Sequence, residues 1–286
     1  MRVLVTGAAG QVGRDLVAFC EAAGDEVFAC EHASLDVGDR DAVLQAVLSA
    51  KPHAVVHAGA WTAVDACESD PDRAMRVNAL GSRNVAEAAR KAGAHLVTIS
   101  TDYVFDGTKP SPYDEWDRPS PASVYGRSKW AGEQEALAMS GGDTTIVRIS
   151  WVCGAHGGNM VKTALKLAAD GVNPRFVDDQ IGNPTIVPDL VPVLRRFAVE
   201  RRPGLFHVTN QGAVSWCAFV REVFAAAGHD PERVTPITTA ELDPPRPAPR
   251  PANSVLDNAA MRLAGIDLLP HHAESLERLV ATLLSA

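Results

Sequence analysis

Residues 2–22 read RVLVTGAAGQVGRDLVAFCEA, and this stretch decides the fold. Residues 2–6 form a short β-branched apolar run, the pattern of a strand buried on both faces. Gly7, Gly10 and Gly13 follow as G-x-x-G-x-x-G, with Gln11 and Val12 inside the run. A helical run then extends to Ala23. Glycines at this spacing let the turn tighten and let backbone N–H groups approach a pyrophosphate at the helix N-terminus. A glycine run alone also fits a ligand-free βα turn. Placed between a first strand and a first helix, it points to a dinucleotide site.

The alternation continues outward from there. Strand patterns lie at 26–30, 54–58, 95–100 and 144–149, and helical patterns at 39–50, 71–92 and 124–139. Strands alternating with helices imply right-handed crossovers and a parallel sheet. The fold class expected is α/β, a Rossmann-type doubly wound parallel sheet with a smaller C-terminal substrate-binding lobe. Residues 1–150 are expected to form the NAD(P)-binding domain, rejoined by roughly 186–208. Residues 151–185 and 209–286 are expected to form the second lobe. Periodicity loosens after about residue 150, and the proline-rich 242–251 (LDPPRPAPRP) reads as an extended surface segment.

Composition narrows the function. The chain has 286 residues, 27 basic and 35 acidic, for a net charge of −8, and is 46% hydrophobic. That is the usage of a globular protein, with no electrostatic footprint for nucleic acid or an anionic membrane. No run approaches the roughly 18 apolar residues of a membrane span. The first strand begins at Arg2, which leaves no room for a secretory signal. Five widely spaced cysteines without C-x-x-C suit reduced thiols in a cytoplasmic protein, with no disulfide framework and no metal site.

Two groups of residues carry candidate chemistry. Glu31 follows the second strand, eighteen positions after Gly13. A carboxylate there accepts from both adenosine ribose hydroxyls, which favours NADH. His32 and Ser34 beside it instead suit a 2′-phosphate, so NADPH or NADH stays open. Asp36 and Val37 come next, where they would border the adenine. Tyr125 and Lys129, in YGRSK, share a helix face at i, i+4. A free phenol has a pKa near ~10, and a neighbouring cation lowers it towards a useful proton shuttle. Ser100, Thr101 and Asp102 stand where the fourth strand ends, at the edge where open α/β sheets bind ligands.

These pieces resemble the extended short-chain dehydrogenase/reductases and, more narrowly, the dTDP-4-dehydrorhamnose reductase family. The motifs are GAAGQVG (7–13), AGAWTAVDACE (58–68), VNALGSRNVAEAA (77–89), STDYVFDG (100–107), VYGRSKWAGE (124–133), RISWVCG (148–154), DDQIGNPT (178–185) and RPANSVL (250–256). The Tyr/Lys pair marks only the superfamily; STDYVFDG, DDQIGNPT and the late RP-x-x-S-x-L are far more specific.

The resemblance implies reduction of the 4-keto group of a dTDP-4-keto-6-deoxy-L-sugar, above all dTDP-4-dehydro-L-rhamnose, by NADPH or NADH. It makes Thr101, Tyr125 and Lys129 the catalytic three. Tyr125 protonates the 4-oxo oxygen, Thr101 polarises the carbonyl, and Lys129 tunes Tyr125 and holds the nicotinamide ribose. Ala58, Gly59, Ala60 and Thr62 should pass the cofactor, and Asn78 should support the site from its helix. Asp102 and Trp151 should face the sugar, with Gln180, Asn183 and Arg250 near the nucleotide. Arg250 is expected to fork onto a phosphate, and Lys162 and Arg175 are the next candidates for that anion. Trp61, Trp130, Cys153 and the pair His271–His272 depart from residues commoner in the family, and the two histidines read as exposed helix-start residues. Related 4-ketoreductases of other deoxysugar pathways share these motifs. So does a non-catalytic relative, the regulatory subunit of methionine adenosyltransferase, against which the intact Tyr125/Lys129 pair argues. Asp102 is followed by Tyr103, not a second carboxylate, which argues against a dehydratase. A monomer and a homodimer are both compatible with the sequence.

Overall fold

A computed structural model describes residues 1–285. Six parallel strands form the central sheet. Five are β1 (Arg2–Thr6), β2 (Glu26–Cys30), β3 (Ala54–His57), β4 (His95–Thr101) and β5 (Thr144–Ile149). The sixth, Gly204–His207, pairs beside β5, and the order across the sheet runs from it through β5, β4, β3 and β1 to β2. Val3, Leu4 and Val5 are almost wholly buried, as a strand covered on both faces must be.

Helices cover both faces. On one side α1 (Gln11–Ala22) and the Val187–Glu200 helix pack over Val5, Val56 and Val147. On the other, α2 (Arg40–Ala50) and α5 (Gly81–Ala92) bury Val43, Val47, Val85 and Ala89 against Leu4, Val55 and Leu96. Asp39 caps α2 by accepting from the Asp41 and Ala42 N–H groups at 3.1 Å. A separate apolar cluster joins the helices Met160–Ala169, Trp216–Ala226 and His272–Leu284 through Val161, Phe219, Val220 and Leu276. Met261, Ile266 and Leu269 lie in sequence among second-lobe residues, yet they are buried in the sheet-side core.

The stretch expected as one helix over 71–92 is divided. Helix α3 (Val64–Ser69) precedes α4 (Pro71–Ala74), and a π-helical segment, Met75–Leu80, joins α4 to α5. The π segment presents Asn78 to the loop 58–62. Its side chain accepts from the Trp61 N–H at 2.8 Å and donates to the Trp61 carbonyl at 3.1 Å. Helix α6 (Val124–Ser140) carries Tyr125 and Lys129. Below them it carries Glu133, whose carboxylate pairs with Arg148 of β5 at 2.8 and 2.7 Å and accepts from Ser100 at 2.5 Å. Glu133 and Arg148 are both 3% exposed.

Removing one partner of such a pair strands the other charge in a low-dielectric interior. Arg148→Met should therefore lower stability by about 3–5 kcal/mol in urea unfolding. A loss below about 1 kcal/mol would mean that the pair is solvated as a surface bridge is.

Candidate active site

The carboxyl ends of β1, β3, β4 and β5 open onto a cavity of about 530 Å³. Gly10, Gln11, Val12 and Gly13 line one end, Ala58, Ala60 and Thr62 one wall, and Thr101, Asp102, Tyr125 and Lys129 the floor. A smaller pocket beside it, of about 210 Å³, is lined by Gly7, Gly10, His32, Val37 and Gly59. The glycine turn fits a closely approaching pyrophosphate. An ideal Cβ at Gly13 would stand 2.1 Å from the Gly7 carbonyl oxygen, so no side chain blocks the start of α1. Gln11, the first residue of α1, ties the turn to the segment 158–159, donating to the Gly158 carbonyl at 3.1 Å and accepting from Asn159 at 2.9 Å.

Glu31, the residue expected at the ribose, stands at the rim of this region. Its side chain is exposed and lies outside the small pocket, while His32 lines that pocket. Asp36 also faces elsewhere, pairing with Arg76 at 2.8 Å and accepting from the Gly38 N–H at 2.9 Å.

Tyr125 is the second residue of α6, and Ser123 caps the helix just before it. Its ring meets Tyr103 edge-on at 5.6 Å. Burial pushes its phenol above the ordinary value, partly opposed by the Thr101 hydroxyl. Burial outweighs the lowering expected from a neighbouring cation, and the Lys129 ammonium donates to the Ile99 carbonyl at 2.7 Å. Burial brings Lys129 down from 10.5 to about 8, so it is still charged at neutral pH. Below Lys129, His57 is pushed down to about 3 by burial and then by that ammonium. His57 Nδ1 bonds Thr6 at 2.6 Å, and its Nε2 has no partner.

The Thr101 hydroxyl donates to Asp102 Oδ1 at 2.9 Å. A hydroxyl has one proton, so Thr101 must turn from Asp102 before it can donate to a substrate carbonyl. Asp102 is 2% exposed, its Oδ2 has no partner, and burial raises its carboxyl to about 6.

Trp151 lines the cavity in the left-handed region, φ 44°, stacked on Trp216 with ring centroids 3.6 Å apart. Gly182 of DDQIGNPT makes room for it, since a Cβ there would meet the indole at 2.7 Å. Beyond this stack lies a second chamber of about 270 Å³, walled by Arg175, Arg246 and Arg250 together with Gln180, Tyr103 and Trp216. Arg175, named as an alternative anion site, lines this chamber, and Lys162 does not.

Three expected placements change. Asn183 lines none of these cavities; it accepts from the Leu256 N–H at 2.9 Å and donates to the Gly212 carbonyl at 3.3 Å, tying loops together. Arg250 reaches the second chamber, but one edge of its guanidinium is paired with Asp65 at 2.7 and 2.8 Å. His272 is buried and bonded to Glu222 at 2.9 Å, so only His271 is an exposed helix-start residue. Sequence reasoning missed Tyr103 and Trp216, which line both chambers. Tyr103 sits beside the recognised Thr101–Asp102. Trp216 opens a helix whose apolar spacing reads as core.

Two outcomes follow for the cofactor side. Glu31→Ser should leave the NADPH/NADH ratio of kcat/KM within about twofold; a tenfold swing, worth about 1.4 kcal/mol, would put the carboxylate at the ribose. Lys129→Met should melt higher than the unaltered protein at pH 7. The folded pKa lies below the unfolded one, so the unfolded chain holds the extra proton between about 8 and the ordinary ~10.4. Wild-type stability therefore rises across that window, and the advantage of Lys129→Met shrinks there. A lower melting point for Lys129→Met at pH 7 would contradict this.

The match to known proteins covers the whole fold. The family model described as RmlD substrate binding domain matches residues 1–285. A dTDP-4-dehydrorhamnose reductase of Streptomyces griseus is 42% identical over 94% of this chain and 90% of its own. A probable dTDP-4,6-dihydroxy-2-methyloxan-3-one 4-ketoreductase of Streptomyces antibioticus is 40% identical over 100% of this chain and 97% of its own. The crystal structure of a Bacillus anthracis dTDP-4-dehydrorhamnose reductase in complex with NADP superposes with a TM-score of 0.94 at 37% identity, covering 98% of this chain and 99% of that one. With its glycine turn, its Tyr125/Lys129 helix and its paired chambers in one continuous fold, this chain belongs to the dTDP-4-dehydrorhamnose reductase family.

Proposed function

We propose that this protein uses NADPH to reduce the 4-keto group of a dTDP-4-keto-6-deoxy-L-sugar, converting dTDP-4-dehydro-L-rhamnose to dTDP-L-rhamnose. The observation that carries the reading is the convergence of Tyr125, Thr101 and Lys129 on the same cavity that the glycine turn lines. The half built on the six-stranded sheet holds the cofactor, and the segments 151–185 and 209–286 cover the substrate, apart from the stretch around Met261–Leu269 that packs into the sheet-side core. Five free thiols among the described residues suit a reducing, cytoplasmic setting. No described helix is long and apolar enough to cross a membrane.

The cofactor, when bound, supplies a hydride for the sugar C4. The protein supplies the proton and the geometry. A phenol held above its ordinary pKa is protonated at neutral pH, which is the state a proton donor must start from. Tyr125 gives that proton to the 4-oxo oxygen as it gains charge. Thr101, released from Asp102, donates a second hydrogen bond to the same oxygen. Lys129 keeps a positive charge beneath the reacting centre. Asn78 fixes the peptide of Trp61 and so the wall that the cofactor passes. The Trp151/Trp216 stack flanks the sugar, and the arginine chamber takes the diphosphate end of the substrate.

The Streptomyces antibioticus relative favours a second reading, a 4-ketoreductase acting on another dTDP-deoxysugar. A panel of dTDP-4-keto sugars, scored by NADPH oxidation and product stereochemistry, separates the two readings. Within either, Tyr125→Phe should lower turnover by at least about 10², the scale of a lost general acid, while NADPH binding measured by fluorescence titration is kept. Near-normal turnover in Tyr125→Phe would remove this tyrosine from the mechanism.

A further inference from the structure

Residues 242–251 run as an extended strap along one wall of the arginine chamber, to which they contribute Leu242, Arg246 and Arg250. Both ends of the strap are fastened. Before it, Thr239 donates to Asp179 at 2.7 Å; after it, the Asn253 side chain donates to the carbonyls of Lys109 and Ser111 at 2.7 and 3.0 Å. Between these points the strap is largely exposed, Ala248 being buried.

One side chain anchors that middle. Asp65, on α3, accepts from the Ala248 N–H at 3.1 Å and from Arg250 Nη1 at 2.7 Å through Oδ1. Its Oδ2 accepts from Arg250 Nη2 at 2.8 Å and lies 3.8 Å from Arg246 Nη1. Among the described residues, no other hydrogen bond or ion pair links residues 243–250 to the rest of the chain. The prolines already restrict the strap in the unfolded chain, so a single polar anchor can order it.

The anchor also decides what Arg250 offers. A guanidinium has five N–H donors. Nη1 uses both of its own, on Asp65 and on the Ala248 carbonyl at 2.8 Å, and Nη2 uses one on Asp65. The Nε–H and the second Nη2–H share the remaining edge, and no described residue accepts from them. A two-donor edge held rigid at a chamber wall matches two oxygens of a phosphoryl group. Guanidinium neighbours in turn hold the Asp65 carboxyl below the usual range, so the anchor is ionised at neutral pH.

We infer that Asp65 is a positioning residue for the substrate: by pinning the strap and one edge of Arg250, it presents the other edge to the diphosphate of a sugar nucleotide. This inference rests on the proposed function. Asp65 is borne by α3, which directly follows the loop 58–62 of the cofactor wall, so one short segment serves both ligands.

The test compares Asp65→Asn and Asp65→Glu with the unaltered protein. In Asp65→Asn the KM for the dTDP-4-keto sugar should rise about tenfold. Its kcat and the KM for NADPH should stay within about twofold, and dTDP should bind about tenfold more weakly by calorimetry. Asp65→Glu, which keeps the carboxylate, should recover part of the loss in both. Hydrogen exchange of a peptide spanning 242–256 should quicken in Asp65→Asn while the sheet is unchanged, and this arm needs no turnover. Unchanged exchange in that peptide would overturn the tether. Equal shifts in both KM values and in kcat, or unchanged dTDP affinity, would overturn the positioning role. If the unaltered protein fails to oxidise NADPH with any keto sugar, the proposed function fails; the exchange and dTDP measurements still decide the inference.

Discussion

At Gly13 a Cβ would stand 2.1 Å from the Gly7 carbonyl oxygen and 2.7 Å from the Ala8 Cα, so α1 can lie this close across the end of β1 only with glycine there. The rest of the site depends on that approach. It brings the free N–H groups at the start of α1 to the edge of the sheet, where the ends of β3, β4 and β5 also arrive. His57 and the loop 58–62 extend from β3, Thr101 and Asp102 from β4, and Ser150 and Trp151 from β5. Asn78, turned inward by the π segment, then locks the loop against the helix that carries Tyr125. A π segment inside a helix is commonly found at functional positions, and here it places one side chain where a regular helix would not.

The centre is built at the expense of stability. Lys129, His57 and Asp102 are all buried with incomplete pairing, and burial moves each away from its charged form. The Glu133–Arg148 pair directly beneath is the opposite case, since both charges are satisfied and Ser100 joins them. Lys129 and Asp102 line the cavity, whereas His57 and the paired Glu133 and Arg148 lie beneath it in the core. That division suits a site whose unmet hydrogen bonds are completed by ligands.

The four inner strands β1, β3, β4 and β5 were legible because they are covered on both faces and read as largely β-branched apolar runs, while the helices between carry their own period. The edge strand β2 (EVFAC) was found from its place in the alternation, and the opposite edge, Gly204–His207 (GLFH), was not singled out because it has no such run. The break at Met75–Leu80 was not legible, since MRVNAL differs little in propensity from the helices flanking it. In the site, residues fixed by a local turn or helix spacing were found from the sequence: the glycines, Thr101, Tyr125 and Lys129. Those fixed by long-range packing were not. Trp216 comes to Trp151 from 65 positions further along the chain. Asn183 is diverted into loop contacts, and Arg250 meets a carboxylate 185 positions away. Glu31 shows the same limit, because spacing after a strand gives a residue's place along the chain but not the direction of its side chain.

The central claim is a net transfer of hydride from the cofactor to the sugar C4, with Tyr125 supplying the proton. The most direct measurement uses NADPH carrying deuterium on one face of the nicotinamide C4. It is incubated with dTDP-4-dehydro-L-rhamnose, and the product is examined by NMR. The account predicts one deuterium at the sugar C4 for each NADP⁺ formed, from one labelled face and not the other. Product formed without consumption of NADPH, or deuterium found at any other sugar carbon, would contradict it.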